Sequence, residues 1–227
     1  GDRFITIGFL EGWVKHKNAP TTKLRRSLAE AEELLLAKPV IYENDLLCGR
    51  LWLPRMNAEE QKHYDALCEA FDNSPFPLHL QRARKDHIGL DFNKLITVGV
   101  DNIIAELKDK LKEFESRSEL MDADLSVIES CEFCQCCIYE LEALIDLANR
   151  YSEYAAVLSE GAVGKRRREL IRMSEAMKKV PAKPAESFFE AIQSVHFFLS
   201  NLFNLRAFNI TVTIFIKCIV IKSHQIR

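Results

Sequence analysis

The sequence predicts a mainly α protein with a short extended segment near residues 40–53 and a candidate strand at 210–221. Three observations carry this expectation. Apolar residues recur at spacings of three and four through most of the chain, which is the helical period. Prolines and glycines are few, seven and eight in 227 residues, and many of them fall between the periodic stretches, where they act as breaks. β-Branched residues concentrate in one late run, ITVTIFIKCIVI at 210–221, which has strand propensity and is too short to span a membrane.

Taken in order, Thr21 or Thr22 caps a helix over 21–37 with Leu24, Leu28, Ala31 and Leu35 on one face and Glu and Arg on the other; Pro39 ends it. Val40 to Leu53 is apolar and bounded by Asn44-Asp45 and Pro54, so it reads as an extended or turn-rich piece packed on helices. A helix follows from 58 to 70. NSPFP at 73–77 is a loop, because two prolines within three residues forbid regular structure. Asp91 or Asn93 caps a helix that runs to 115, and 123–159 keeps the helical period over roughly ten turns. Gly161 and Gly164 separate it from a helix over 165–179. Pro181 and Pro184 hold the next segment extended, since each fixes its own φ and restricts its predecessor. The last helix starts near Ala185. Its apolar set is Phe188, Phe189, Ile192, Val195, His196 and Leu199, and no charged residue lies between Glu190 and Arg206, so it is expected to be buried on most of its circumference.

With 48% hydrophobic residues, the chain can bury one ordinary core or serve as a piece of a larger one. A formal charge of −2 gives no field that favours nucleic acid or an anionic membrane, and the run Lys165 to Arg168 reads as a solvated helix face. The start, GDRFITIGFLEGW, has no signal-peptide pattern, and no run reaches the roughly 18 apolar residues of a membrane span, so the expected location is cytoplasmic. Seven cysteines, an odd number and clustered, fit that location better than a secreted disulfide framework.

Four of those cysteines stand together in CEFCQCC. CxxC spacing makes Cys131, Cys134 and Cys137 candidate metal ligands, but they read as structural, because the flanking pattern is helical and no second CxxC pair exists. Cys134, Ile138 and Leu141 share one buried stripe; Cys136, on another face, is expected to be exposed and oxidisable. His196 reads as a hydrogen-bonded core histidine. His16, His63 and His79 have no companions at triad or metal spacing, and neither GxGxxG nor GxxxxGK[ST] occurs.

The segment VPAKPAESFFEAIQSVHFFL at 180–199 resembles the "VPAxPAxSFxEAxQ" signature of glycyl radical enzymes of the pyruvate formate-lyase type, which include diol dehydratases, choline and isethionate lyases and arylacetate decarboxylases. Three further segments resemble that family in its own order: KPVIYENDLLCG at 38–49, HIGLDFNKLITVGVDNII at 87–104 and ELEALIDLANRYSEYAAVLSE at 140–160. Together they cover roughly residues 24 to 204, and four weak motifs in order are more specific than one. Asp86 and Asn102 replace usual glycines, Cys48 replaces an aliphatic residue, and the sequence after Leu205 departs altogether.

The resemblance implies the amino-terminal helical portion of an α/β barrel, with residues 1–205 a partial pyruvate formate-lyase-type domain and 206–227 a divergent or out-of-frame tail. Full-length relatives carry a glycyl radical installed by a radical S-adenosylmethionine activase; no cofactor is expected in this chain. The family's catalytic-cysteine motif GCxE and glycyl loop RVxGY do not occur here, so no catalytic residue transfers. His87 aligns with a histidine that hydrogen-bonds a substrate hydroxyl in dehydratase-like members; its other reading is as a cap or packing residue of the following helix.

The expected function is that of a fragment, inactive alone, of an enzyme performing radical chemistry on a small polar substrate. The expected partners are a catalytic carboxyl-terminal half, a homodimer partner and the activating enzyme. The competing class is a non-catalytic helical interaction module or split subunit that binds through the Phe188 to Phe203 face. Burial separates the two: a fragment exposes that face, while a module covers it.

Overall fold

The computed structural model describes residues 6–49, 56–74, 91–118 and 125–204. Among these residues every regular element is helical. The order is α1 (Ile7–Lys15), α2 (Thr22–Leu36), α3 (Ala58–Asp72), α4 (Phe92–Thr97), α5 (Val100–Ser118), α6 (Leu125–Gly161), α7 (Gly164–Lys179) and α8 (Phe188–Asn204). No helix among them is long and apolar enough to cross a membrane.

At 37 residues, α6 is about 55 Å long, and it forms the spine. Helices α2, α5 and α7 pack along it, α1 lies against α2, α3 against α1, and α8 against α4 and α7. Being surrounded, α6 buries most of its circumference, and Leu141, Leu147 and Tyr151 are fully enclosed. The main core joins them to Leu34, Leu95, Leu107, Met173 and Phe197. A smaller core gathers Phe9, Leu10 and Trp13 of α1, Ala29 of α2, and Leu67 and Phe71 of α3.

The helix starts follow local chemistry. Thr21 accepts from Leu24 N, as its cap reading requires. At α3, Asn57 accepts from Glu60 N while Glu60 accepts from Asn57 N, a reciprocal capping box. Asp91 caps α4 by accepting from Lys94 N.

Several expectations need correcting. The single helix expected from 91 to 115 is two, because Gly99 at φ +78° turns the chain between α4 and α5. The last helix begins at Phe188 and not near Ala185. Ala185 N is committed to Ile96 O, and Ser187 Oγ receives Glu190 N. On α2, Leu35 is exposed, whereas Arg25, Ser27, Glu30 and Glu33 are buried. That helix lies between α1 and α6, and these four residues face the two neighbours, while Lys23 and Glu32 stay at the edge. Cys136 is fully buried for the same reason, facing Ser27 of α2.

Helix α1 was not anticipated. Its Gly8 and Gly12, four residues apart on one face, let α2 approach closely: a Cβ on Gly12 would lie 2.8 Å from Ala29 Cα and 2.8 Å from Glu32 Cβ. Arg25 completes the contact, its Nε donating to Trp13 O at 2.9 Å with the guanidinium 4.0 Å from the Trp13 ring centroid. Gly12→Ala gains up to about 1 kcal/mol in helix propensity. Overpacking against backbone costs about 1–3 kcal/mol, so a net loss of about 1–2 kcal/mol is expected in urea denaturation. A gain would refute the close approach.

Candidate functional site

The four segments that carry the family resemblance do not lie apart; they interlock around α8. The first connection is made by backbone. The opening N–H groups of a helix have no partner within it, and at α5 they are taken by the VPAKP segment, which is not extended as expected but turns, with Lys183 N donating to Lys179 O at 2.8 Å: Val100 N donates to Pro181 O and Asp101 N to Ala182 O, both at 2.9 Å. Prolines suit this segment because they lack an N–H of their own yet offer carbonyls. Ala185 N returns a bond to Ile96 O at 2.9 Å, and Lys183 Nζ reaches Asp101 Oδ2 at 2.6 Å. Gly99 lies directly beneath. Asn102 bonds back to Val98 O through its amide, at 2.9 Å.

The second connection is an amide clamp. Gln193, fully buried on α8, accepts from Cys48 N at 2.9 Å and donates to Cys48 O at 2.9 Å. Beyond it, Gly49 at φ +129° comes so close to α8 that an added Cβ would lie 3.0 Å from Phe197 Cα. Phe197 in turn meets Tyr151 edge to face, with centroids 5.6 Å apart.

Two arginines hold carbonyls of the 38–49 segment and of the end of α2. Arg150 donates to Leu34 O at 2.6 Å and to Ala37 O; Arg166 donates to Asp45 O at 2.7 Å and to Tyr42 O at 2.9 Å. An irregular segment has no ladder of its own to pair its peptide groups; Gln193 pairs those of its buried end at Cys48, and Arg166 holds two carbonyls of its more exposed middle. Burial pushes Tyr151 up to about 12, with the Val40 N–H directed at its hydroxyl. Cys48 is likewise pushed up to about 12 by burial. Both are neutral packing groups at ordinary pH, and neither is a nucleophile.

His87 lies outside the described residues, as do 210–221. Cys134 and Cys137 are buried in the main core, and Cys131 is half-buried. Burial pushes Cys136 up to about 12. Among the described residues, no group of three or more His, Cys, Asp and Glu could hold a metal ion. His196 is half-buried with Nε2 3.4 Å from Ser200 Oγ. On α8 the buried stripe is Gln193, Ser194, Phe197, Phe198 and Asn201; Phe188 is 82% and Ile192 39% exposed. The apolar face expected to be covered is therefore partly open.

Sequence reasoning also missed buried acids. Glu33 accepts a hydrogen bond from Thr6 Oγ1 at 2.6 Å, yet burial drives its carboxyl up to about 7. A carboxyl raised in the folded state binds its proton more tightly there, so its stabilising contribution is complete below the unfolded value and is lost as pH rises through about 7. The shift predicts a loss on the order of 3 kcal/mol between about pH 5 and about pH 8. Glu33→Gln keeps the acceptor for Thr6 and removes the titration, and should flatten that part of the melting-temperature profile. An unchanged profile would refute the assignment.

This geometry agrees with comparisons to known proteins. A family model described as pyruvate formate lyase-like matches residues 55–206. Over 97 residues, 43% of this chain and 10% of the relative, the sequence is 32% identical to indoleacetate decarboxylase from Tractidigestivibacter scatoligenes. Over 108 residues, 47% of this chain and 12% of the relative, it is 30% identical to isethionate sulfite-lyase from Bilophila wadsworthia. The matched part is thus a small fraction of either relative's length.

The fold matches the glycerol-bound B12-independent glycerol dehydratase from Clostridium butyricum with a TM-score of 0.70 and 20% identity, covering 88% of this chain and 31% of that one. It matches hydroxyproline dehydratase from Clostridioides difficile with a TM-score of 0.71 and 16% identity, covering 96% and 34%. The interlocked segments, the family match over most of the chain and the shared fold lead to one conclusion: the chain belongs to the pyruvate formate lyase-like family of glycyl radical enzymes.

Proposed function

We propose that these residues supply the amino-terminal helical layer of a glycyl radical lyase or dehydratase acting on a small polar substrate, and that they do not catalyse by themselves. The observation that carries this reading is the junction around Gln193 and Gly99. Its chemistry is structural: amides, glycines and arginines fix backbone segments. The residues do not fit the family's radical group, because neither GCxE nor RVxGY occurs in the sequence.

A lyase or dehydratase is preferred over a formate acetyltransferase because the relatives matched are a decarboxylase, a sulfite-lyase and dehydratases. The exposure of Phe188 and Ile192 favours a layer that packs on further protein over a self-contained module.

The test is reconstitution without oxygen. The catalytic remainder of a dehydratase relative, lacking its own amino-terminal layer, is co-expressed with this chain and the activating enzyme, and the glycyl radical is read by electron paramagnetic resonance alongside turnover. Radical and turnover that require this chain support the proposal. Turnover by this chain alone, or no dependence on it, overturns it.

A further inference from the structure

A second polar group is sealed between α2 and α6, away from the junction. Glu30 and Glu140 are each 1% exposed and Ser27 is fully buried. Glu30 Oε1 accepts from Arg26 Nε at 2.8 Å, while its Oε2 is buried with no partner. Ser27 Oγ lies 2.6 Å from Glu140 Oε1 and 3.0 Å from Cys136 O. A hydroxyl carries one hydrogen. Both contacts are full hydrogen bonds only when one of the two oxygens also donates, and a peptide carbonyl cannot. The consistent arrangement has a protonated Glu140 carboxyl donating to Ser27 Oγ while Ser27 donates to Cys136 O.

The charges acting on Glu30 point the same way. Among the described residues, the charged groups that act on Glu30 are Glu140 from α6, and Arg26 and Glu33 on its own helix. From the α1 side, Thr6 faces Glu33, while Lys15 and His16 are engaged at Glu32 on the outer edge. Lys23 and Glu132 act at Cys136, farther along the seam. At Glu30, burial and the repulsion of the Glu140 carboxylate outweigh the Arg26 guanidinium, so the seam keeps a proton instead of two negative charges.

We propose that the α2–α6 seam holds one proton on the Glu30–Glu140 pair at neutral pH, and that its release in alkaline solution parts the two helices, making a pH-sensitive latch on the amino-terminal layer. Because α1 rests on α2 and α3 rests on α1, all three helices leave the spine together. Burial, and next the Glu140 carboxylate, raise Glu30 well above the ordinary carboxylate range, in the direction the geometry requires.

The test uses the full chain in an E33Q background, so that Glu33 does not titrate. Amide exchange of α2, corrected for its intrinsic pH dependence, should show an opening constant that rises about tenfold per pH unit above neutrality, the signature of one proton lost on opening. E140Q, added to that background, should abolish the rise, and E30Q, which removes the neighbouring charge, should end the rise at a lower pH. In parallel, carbon-13 spectra of glutamate-labelled E33Q chain should show a side-chain carboxyl that titrates above neutrality, a readout that stands even if E30Q or E140Q does not fold. A rise that persists in E140Q, or carboxyls that all titrate below neutrality, would overturn the proposal.

Discussion

Gly99→Ala should destabilise the chain by about 2–5 kcal/mol, the sum of about 1–2 kcal/mol for a left-handed alanine and about 1–3 kcal/mol for overpacking. Gly99 has φ +78°, and a Cβ there would lie 2.6 Å from Lys183 C, 2.7 Å from Ala182 O and 2.8 Å from Pro184 N. All three are backbone atoms, so no flexible side chain can swing aside. The segment they belong to carries the carbonyls that cap α5, and pushing it away breaks the Val100–Pro181 and Asp101–Ala182 bonds. Amide exchange should therefore show Val100 and Asp101 losing protection ahead of the rest of α5.

Gly164 provides the control. It has φ +59° but nothing within 4 Å of an added Cβ, so Gly164→Ala isolates the conformational cost of roughly 1 kcal/mol. If both substitutions cost the same, VPAKP does not press on Gly99, and the junction as described is wrong.

The same glycine shows why the sequence was only partly legible. Helices α2, α3, α6 and α7 could be read to within a few residues, because apolar residues on a 3.6 period and clear breaks such as Pro39 and the Gly161/Gly164 pair mark them independently of tertiary context. The division between α4 and α5 was not visible, since the apolar rhythm from Phe92 to Leu111 continues through Gly99 and only the positive φ reveals the turn. Helix α1 was missed because glycines at 8 and 12 weaken helix propensity; their four-residue spacing, which admits α2, was the available signal.

Faces were harder to read than elements. On α8, apolar residues occur on nearly every side, so periodicity could not distinguish the buried Phe197 and Phe198 from the exposed Phe188 and Ile192. On α2 the error ran the other way. Glu30 and Glu33 sit where an amphipathic helix faces water, and their burial follows only once α1 and α6 cover both flanks. Cys136 was misassigned for the same reason. A helix packed on two sides has no broad solvent face for the pattern to report. The matched segments nonetheless marked the residues that meet at the junction, including Gln193, although no pattern pointed to Cys48 as its partner.

Gln193→Leu should cost about 4 kcal/mol, because it leaves both peptide groups of Cys48 unpaired and each buried orphan costs about 1–3 kcal/mol. The side chain is fully buried, so water has no access to replace the amide. Leucine is close to glutamine in size, which limits any cavity effect and assigns the loss to the hydrogen bonds.

Gln193→Glu tests the same clamp by charge. In its protonated form the introduced carboxyl can accept from Cys48 N and donate to Cys48 O, reproducing the two bonds of 2.9 Å. In its ionised form it can only accept, and it repels the Cys48 carbonyl. Its folded pKa is therefore raised, so stability near that of the parent is expected below about pH 4, the ordinary glutamate range, and is lost as pH rises through the higher folded value. The parent glutamine has no such dependence at this position. A denaturation series across pH distinguishes the cases: a Gln193→Glu loss that deepens with pH, beside a constant Gln193→Leu loss, identifies the amide as the clamp, whereas two parallel curves would mean that Cys48 is held by something else.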